Sequence, residues 1–208
     1  MRVAFLTNVI PPYHKPVLEA LAARHGTLRI FLSTPMESNR SWKVDWEGLD
    51  VIVQKTVTLT GRWRHPRGFE EPTEVHFPLD TVEQLSRFDP DIIISTELGF
   101  RTLSAVLYTK LRRRTRVIAW TEVTEVSERG RGLARNLLRK MLRSNVDAFL
   151  ALGDGGIRYI KSLGVDERKI FKLAYTTDVE RFASVPLARQ PGHERRLLYV
   201  GQLIERKG

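Results

Sequence analysis

"DIIIS", residues 91–95, sets three consecutive isoleucines between Asp91 and Ser95 with no polar alternation. A strand with one wet face alternates apolar and polar residues. An unbroken β-branched run is apolar on both faces, the condition of a parallel sheet covered by helices on either side. "AFLAL", residues 148–152, reads the same way. Outward from these two, apolar runs recur at 3–7, 28–33, 51–59, 117–120 and 170–174, with room for a helix between neighbours. The pattern predicts an α/β protein with a Rossmann-like, doubly wound parallel sheet over residues 1–183.

The connecting helices have readable ends. They are expected at 16–23, 81–87, 103–113, 133–143 and 155–163. Pro16 suits a first turn and Gly26 a helix end, Pro90 stops the second helix, and Gly164 closes the last. Residues 60–76, "TGRWRHPRGFEEPTEVH", keep no sustained period and are expected to form a long irregular insertion, the kind of loop that carries function. Residues 184–196, "SVPLARQPGHERR", read as a linker, and 197–208, "LLYVGQLIERKG", as a strand followed by a glycine turn and a basic pair.

With 208 residues, 42% of them hydrophobic, the chain can bury a full core. The absence of cysteine excludes disulfides and thiolate zinc sites and fits a reducing, cytoplasmic setting. The first ten residues, "MRVAFLTNVI", are interrupted by Asn8 and followed by Pro11 and Pro12, so they read as a buried strand and not as a signal peptide. No uninterrupted run of about 18 apolar residues, the length needed to span a bilayer as a helix, occurs.

A net charge of +10 is concentrated in "KLRRRTR", 110–116, and "RGRGLARNLLRKMLR", 129–143; the second holds six bases and no acid. Such a surface attracts nucleic acid, anionic lipid or an anionic substrate. As a helix, the second segment gathers Leu133, Leu137, Leu138, Met141 and Leu142 on one stripe. The leucines are expected to pack on the sheet, leaving Arg135, Arg139 and Arg143 to water or to an anionic membrane. No aromatic residue interleaves these arginines, which disfavours single-stranded nucleic acid as a partner.

In doubly wound sheets, ligands bind beyond the carboxyl ends of the strands. That rule selects Asn8, Pro12, Tyr13 and His14 after the first strand, Glu97 after the fourth, and Thr121 and Glu122 after the fifth. Two prolines stand where a glycine-rich pyrophosphate loop would need amide hydrogens, which disfavours a dinucleotide cofactor. Glu97 and Glu122 could accept hydrogen bonds from sugar hydroxyls or could cap the next helix. No metal-ligand spacing and no G-x-S-x-G elbow is present.

"DPDIIIS" at 89–95, "GVDERKI" at 164–170, "TDVERF" at 177–182 and "LLYVGQLIERKG" together resemble glycosyltransferase family 4 enzymes of the GT-B fold. "TNVIPPYHKP", 7–16, resembles the N-x-x-x-P-Y-x-x-P opening of one branch of that family. Gly201, Leu203, Lys207 and Gly208 match its G-x-L-x-x-x-K-G motif, and Asp178 and Phe182 match the D-x-x-x-F before the interdomain linker.

The resemblance implies the amino-terminal, acceptor-side half of a retaining transferase, with 197–208 opening a nucleotide-sugar domain that the chain does not complete. On its own the chain is then expected to fold but not to transfer sugar. Lys207 would neutralise the donor diphosphate beside the backbone of Gly201. Arg206 would supply the charge missing at Gln202, where many relatives have arginine. Thr121 or Glu122 would stand where many relatives place a histidine near the transferred sugar. Asn8, Pro12, Tyr13, His14 and Glu97 would face the acceptor, a glycan or lipid-linked molecule, in cell-surface polysaccharide or glycolipid synthesis. No metal or other cofactor is expected, and the protein would be cytoplasmic, peripheral on the inner face of the plasma membrane. A GT-B nucleotide-sugar epimerase is the second reading.

Overall fold

A computed structural model describes residues 1–64, 70–128, 132–184 and 198–199, without the side chains of 71, 72 and 181. Seven strands form one sheet: β1 (Arg2–Thr7), β2 (Thr27–Leu32), β3 (Asp50–Val53), β6 (Ile92–Ser95), β7 (Arg116–Thr121), β8 (Ala148–Leu152) and β9 (Ile170–Leu173). Their order is β3-β2-β1-β6-β7-β8-β9, and every pairing is parallel. Between them run α1 (Lys15–His25), α2 (Thr81–Phe88), α3 (Phe100–Leu111), α4 (Glu125–Glu128), α5 (Leu133–Leu142) and α6 (Gly153–Ser162); α7 (Val179–Ala183) follows β9. This is a Rossmann-like, doubly wound α/β fold.

The central strands confirm why "DIIIS" is apolar throughout. Ile93 packs with Ala4, Leu6, Phe149 and the helices α2, α3 and α6 on one face. Ile94 packs with Phe5, Ile30 and Leu18 of α1 on the other. Full burial of one such aliphatic or aromatic side chain contributes about 1.5–3 kcal/mol. The strand order reverses between β1 and β6, so the ends of these two strands splay apart and open a crevice there.

The expected single strand over 51–59 is two. Gln54, buried, donates its amide N–H to Leu32 O at 2.8 Å and its side-chain amide to Thr81 Oγ1 at 2.8 Å. There the chain leaves the parallel sheet and enters an antiparallel hairpin of β4 (Thr56–Arg64) and β5 (Glu70–Pro78), in register from Thr56↔Pro78 to Arg64↔Glu70. The expected irregular insertion over 60–76 therefore lies largely in a hairpin, with 65–69 outside the described residues. Its inverted pattern hid it: His76 is buried while Val57, Leu59 and Val75 are exposed.

Helix ends follow the sequence closely. Gly26 and Gly164 both carry positive φ just past α1 and α6. Asp89, before Pro90, ends α2 in the left-handed region at φ 50 and returns its N–H to Leu85 O. Arg2 holds its carboxylate at 2.7 Å and Arg114 closes on it as well. The linker, apart from Ser184, and residues 200–208 lie outside the described residues, and with them Gly201, Arg206 and Lys207.

Candidate functional site

At the carboxyl end of the sheet a cavity of about 680 Å³ lies over β1, β6 and β7. Asn8, Glu97, Thr121 and Glu122, four residues selected by strand position, line it together. Parallel register explains the meeting: Leu6 pairs with Ser95 and Ser95 with Ala119, so the residues just beyond them emerge side by side. Gly99 and Phe100 at the start of α3, Ala134, Arg135, Leu138 and Arg139 of α5, and Glu74, His76 and Phe77 of β5 complete the walls. Phe77 meets Phe100 edge-on, ring centroids 5.1 Å apart, and this contact seats the hairpin over the crevice.

Behind the wall is Arg101, fully buried on α3. Its Nη1 donates to Asn8 Oδ1 and, at 3.0 Å, to Ser33 Oγ; its Nη2 lies 3.3 Å from Glu97 Oε2. Asn8 Nδ2 in turn donates to Glu37 Oε1 at 3.2 Å. Burial lowers the pKa of the guanidinium, and the charges of Glu97 and Glu37 oppose that shift. The result is a carboxylate and an amide held at fixed positions on the cavity wall. His76, buried on β5, shares Nδ1 with Thr58 Oγ1 at 2.9 Å, and its Nε2 lies 3.7 Å from both Glu37 and Glu74.

Glu122 stands between this cavity and a smaller one lined by His14, Val17, Trp120, Leu152, Leu173 and Tyr175. Tyr175 donates to Glu122 Oε2 at 2.7 Å, and His14 Nε2 lies 3.4 Å from Oε1. Burial alone would raise the carboxyl pKa, but hydrogen bonds from His14 and Tyr175 outweigh it and hold the group below its usual value. Burial and the hydrogen bond to Glu122 push the Tyr175 phenol well above the ordinary range. Tyr13, His14 and Trp120 pack as an aromatic collar, with centroids 4.6 Å apart for Tyr13–His14 and 5.6 Å for His14–Trp120.

The prolines of the first loop have a positional role. His14 N–H returns to Pro11 O at 2.9 Å, so Pro11–His14 is a tight turn with Pro12 at its second position, where a fixed φ suits it. The turn delivers His14 to the start of α1, facing Trp120 and Glu122; Pro12 itself is exposed and lines neither cavity. Thr121 is buried, and its hydroxyl donates to Leu150 O at 3.2 Å across the sheet. Tyr175 was not selected from sequence, although it lies two residues past β9 and the strand-end rule would have found it.

The basic helix α5 is rolled relative to expectation. Of the expected inward stripe, Leu142 is buried and Leu138 packs against the core, but Leu133, Leu137 and Met141 are 88%, 63% and 53% exposed, while Arg139 is 2% exposed. Arg139 Nη1 donates to both Glu128 Oε2 and Tyr159 OH; Arg135 Nε lies 3.2 Å from Glu128, and Arg143 donates to Leu163 O at the end of α6. A membrane-facing Arg139 is therefore corrected: α4 and α6 supply partners that bring the arginine side inward. Arg143 is likewise engaged with the protein, and Arg135 leans on Glu128.

Among the described residues no group of three or more His, Asp or Glu could hold a metal ion, and no helix is long and apolar enough to cross a membrane. No protein-family profile matches the chain. No curated protein matches it by sequence. Solved structures do match. Anabaena Alr3699/HepE superposes with a TM-score of 0.58 in its UDP complex and 0.60 in its UDP-glucose complex, at 10% and 9% identity. The lipopolysaccharide outer core galactosyltransferase WaaB, apo form, superposes at 0.51 and 12% identity. HepE covers 86% of this chain and WaaB 82%, but the chain spans only 45% and 44% of theirs. The likeness is one of fold, a Rossmann-like α/β domain.

Proposed function

We propose that the chain is the acceptor-side domain of a retaining nucleotide-sugar glycosyltransferase of the family 4 kind, and that the 680 Å³ cavity receives the acceptor. The observation that carries this reading is the convergence of Asn8, Glu97 and Glu122 on one cavity at the switch point of the sheet. Glu122, ionised and oriented by Tyr175 and His14, accepts a hydrogen bond from an acceptor hydroxyl or from the sugar in transfer. Glu97 and Asn8, fixed by Arg101, orient the rest of the acceptor. Lys207 and Arg206 would stabilise the charge developing on the leaving diphosphate.

UDP-glucose, which HepE holds in its solved complex, is the first donor to try. The full product of the gene, incubated with UDP-glucose and a lipid and glycan extract, should release UDP and label an acceptor. Glu122→Gln should slow this by roughly 10²-fold without lowering the melting temperature comparably. Unchanged turnover in that variant would return Glu122 to a structural role. Recovery of an epimerised nucleotide-sugar with no labelled acceptor would favour the epimerase reading.

A further inference from the structure

We infer that Glu37, Glu74 and His76 form a subsite for a primary ammonium group on the hairpin wall of the large cavity. Thr58 pairs with His76 and Thr60 with Glu74 across β4 and β5, so these four residues share the polar face of the hairpin, while Val57, Leu59, Val75 and Phe77 share the other. The polar face is the one that turns inward. The His76 side chain is 2% exposed, that of Glu74 12%, and that of Glu37, which meets them from the segment after β2, 18%. Glu74 and His76 line the cavity. Glu74 Oε1 accepts from the Ser38 N–H at 3.2 Å and from the Ser38 hydroxyl, and Glu37 Oε1 accepts from Asn8 Nδ2 at 3.2 Å. Each carboxylate is thereby fixed, with Glu37 Oε1 and Glu74 Oε2 both 3.7 Å from His76 Nε2.

At that distance neither carboxylate is hydrogen-bonded to the ring, and Nε2 is buried with no hydrogen-bond partner among the described residues. An imidazolium there would close one of the two gaps to a charge-assisted hydrogen bond; both stand open. Thr58 Oγ1 meets the other ring nitrogen at 2.9 Å. When Thr58 accepts from Nδ1–H, the Nε2 lone pair joins the two carboxylate oxygens, and three acceptors face one gap. That set matches the three N–H donors of an ammonium group. A hydroxyl has one donor and would neutralise no charge. Among the described residues, Arg101 answers Glu97, His14 stands beside Glu122, and Arg135 and Arg139 are engaged by Glu128. Glu74 has no lysine or arginine partner among them, and Glu37 has Arg40, 3.7 Å away and 55% exposed. Two partly desolvated carboxylates side by side repel each other, and a cation between them removes that cost. No group of three that could hold a metal ion is formed here. A hairpin that buries histidine and glutamate while exposing Val57, Leu59 and Val75 forgoes apolar burial, as a ligand site does and a core does not. An amino sugar would seat its ammonium between Glu37, Glu74 and His76 and offer its hydroxyls to the rest of the cavity. That the amine belongs to an acceptor rests on the function proposed above; its binding at the hairpin does not.

Titration of the full product of the gene with glucosamine, N-acetylglucosamine and glucose, followed by calorimetry and by the NMR signals of the His76 ring, tests the subsite without turnover. Glucosamine should bind saturably, roughly tenfold or more tighter than the two uncharged sugars, and should shift the His76 signals. Glu74→Gln and Glu37→Gln, which keep the side-chain shape, should each weaken glucosamine roughly tenfold and leave the affinity for glucose unchanged. The comparison of three sugars on the wild type needs no variant to fold. Equal affinity for all three overturns the subsite, as does an absence of saturable glucosamine binding. Glucosamine binding that leaves the His76 signals unmoved and is the same in both variants also overturns it, because the amine would then sit elsewhere. Transfer to a neutral acceptor by a protein that does not bind glucosamine would remove the subsite and keep the transferase reading. Glucosamine binding at the hairpin without any sugar transfer would keep the subsite and remove that reading.

Discussion

Tyr175 and Glu122 lie 53 positions apart in the chain and are joined by a 2.7 Å hydrogen bond from phenol to carboxylate. The bond ties the segment after β9 to the end of β7 and turns the carboxylate toward the cavity. Its pH signature is specific. The folded pKa of Glu122 is depressed, so the stability it contributes is present above its unfolded value of about 4.3 and fades as pH falls through the lower, folded value. The gap in stability between wild type and Glu122→Gln, measured by urea titration, should be constant near neutrality and shrink only in acid. Tyr175→Phe should raise the carboxyl midpoint seen by NMR; an unmoved midpoint would mean that the phenol does not hold it.

Arg139 is predicted to be a core residue. Arg139→Ala would leave Glu128 buried beside a cavity and should cost about 3 kcal/mol, the low end for a broken buried pair because Arg135 still reaches Glu128. Lys140→Ala, one residue on and exposed, should stay within about 0.5 kcal/mol. Chemical denaturation of the two variants checks the roll of α5; equal effects would mean that the helix does not present this face inward.

Gly164 satisfies two demands at once. Its φ of +83 is left-handed, and a β-carbon there would overlap the Arg143 guanidinium that donates to Leu163 O. Gly164→Ala should therefore lose about 1–2 kcal/mol from backbone strain, with a further loss from Arg143. In the background of Arg143→Ala the cost should fall, which a double-mutant cycle measures.

Gly99 makes room for the Glu97 carboxylate: a β-carbon there would lie 2.9 Å from Oε1. Its φ of −134 is not left-handed, so Gly99→Ala should lose stability through Glu97, which is swung away from the fully buried Arg101, by about 1–3 kcal/mol. A chemical-shift change at Arg101 and Asn8 together with a lowered melting temperature is the expected result; an unaltered melting temperature would mean that Glu97 does not support Arg101.

The sheet was legible in residues 91–95 and 148–152 because burial on both faces demands unbroken apolar runs, and helix ends were legible where Gly26, Pro90 and Gly164 impose backbone conformations that other residues resist. Strand ends likewise pointed to Asn8, Glu97 and Glu122, since chain direction alone decides which end of a parallel strand faces the crevice. The hairpin was not legible, because it buries His76 while exposing Val57, Leu59 and Val75, the reverse of the usual pattern.

Sequence by itself determined the periodicities of the parallel sheet and of the longer helices between its strands, and the end of the sheet at which Asn8, Glu97 and Glu122 meet. Only tertiary structure decided how α5 is rolled about its axis and which side chains hold Glu122. An arginine and a leucine present similar hydrocarbon stems, and which of them turns inward depends on partners far along the chain. Here Glu128, Tyr159 and the carbonyl of Leu163 draw the arginines in, and Tyr175, arriving from the far edge of the sheet, fixes the carboxylate. Periodicity is local and can be read along the chain. Pairing of buried charges depends on which distant elements the fold brings into contact, and that is settled only when the sheet is assembled.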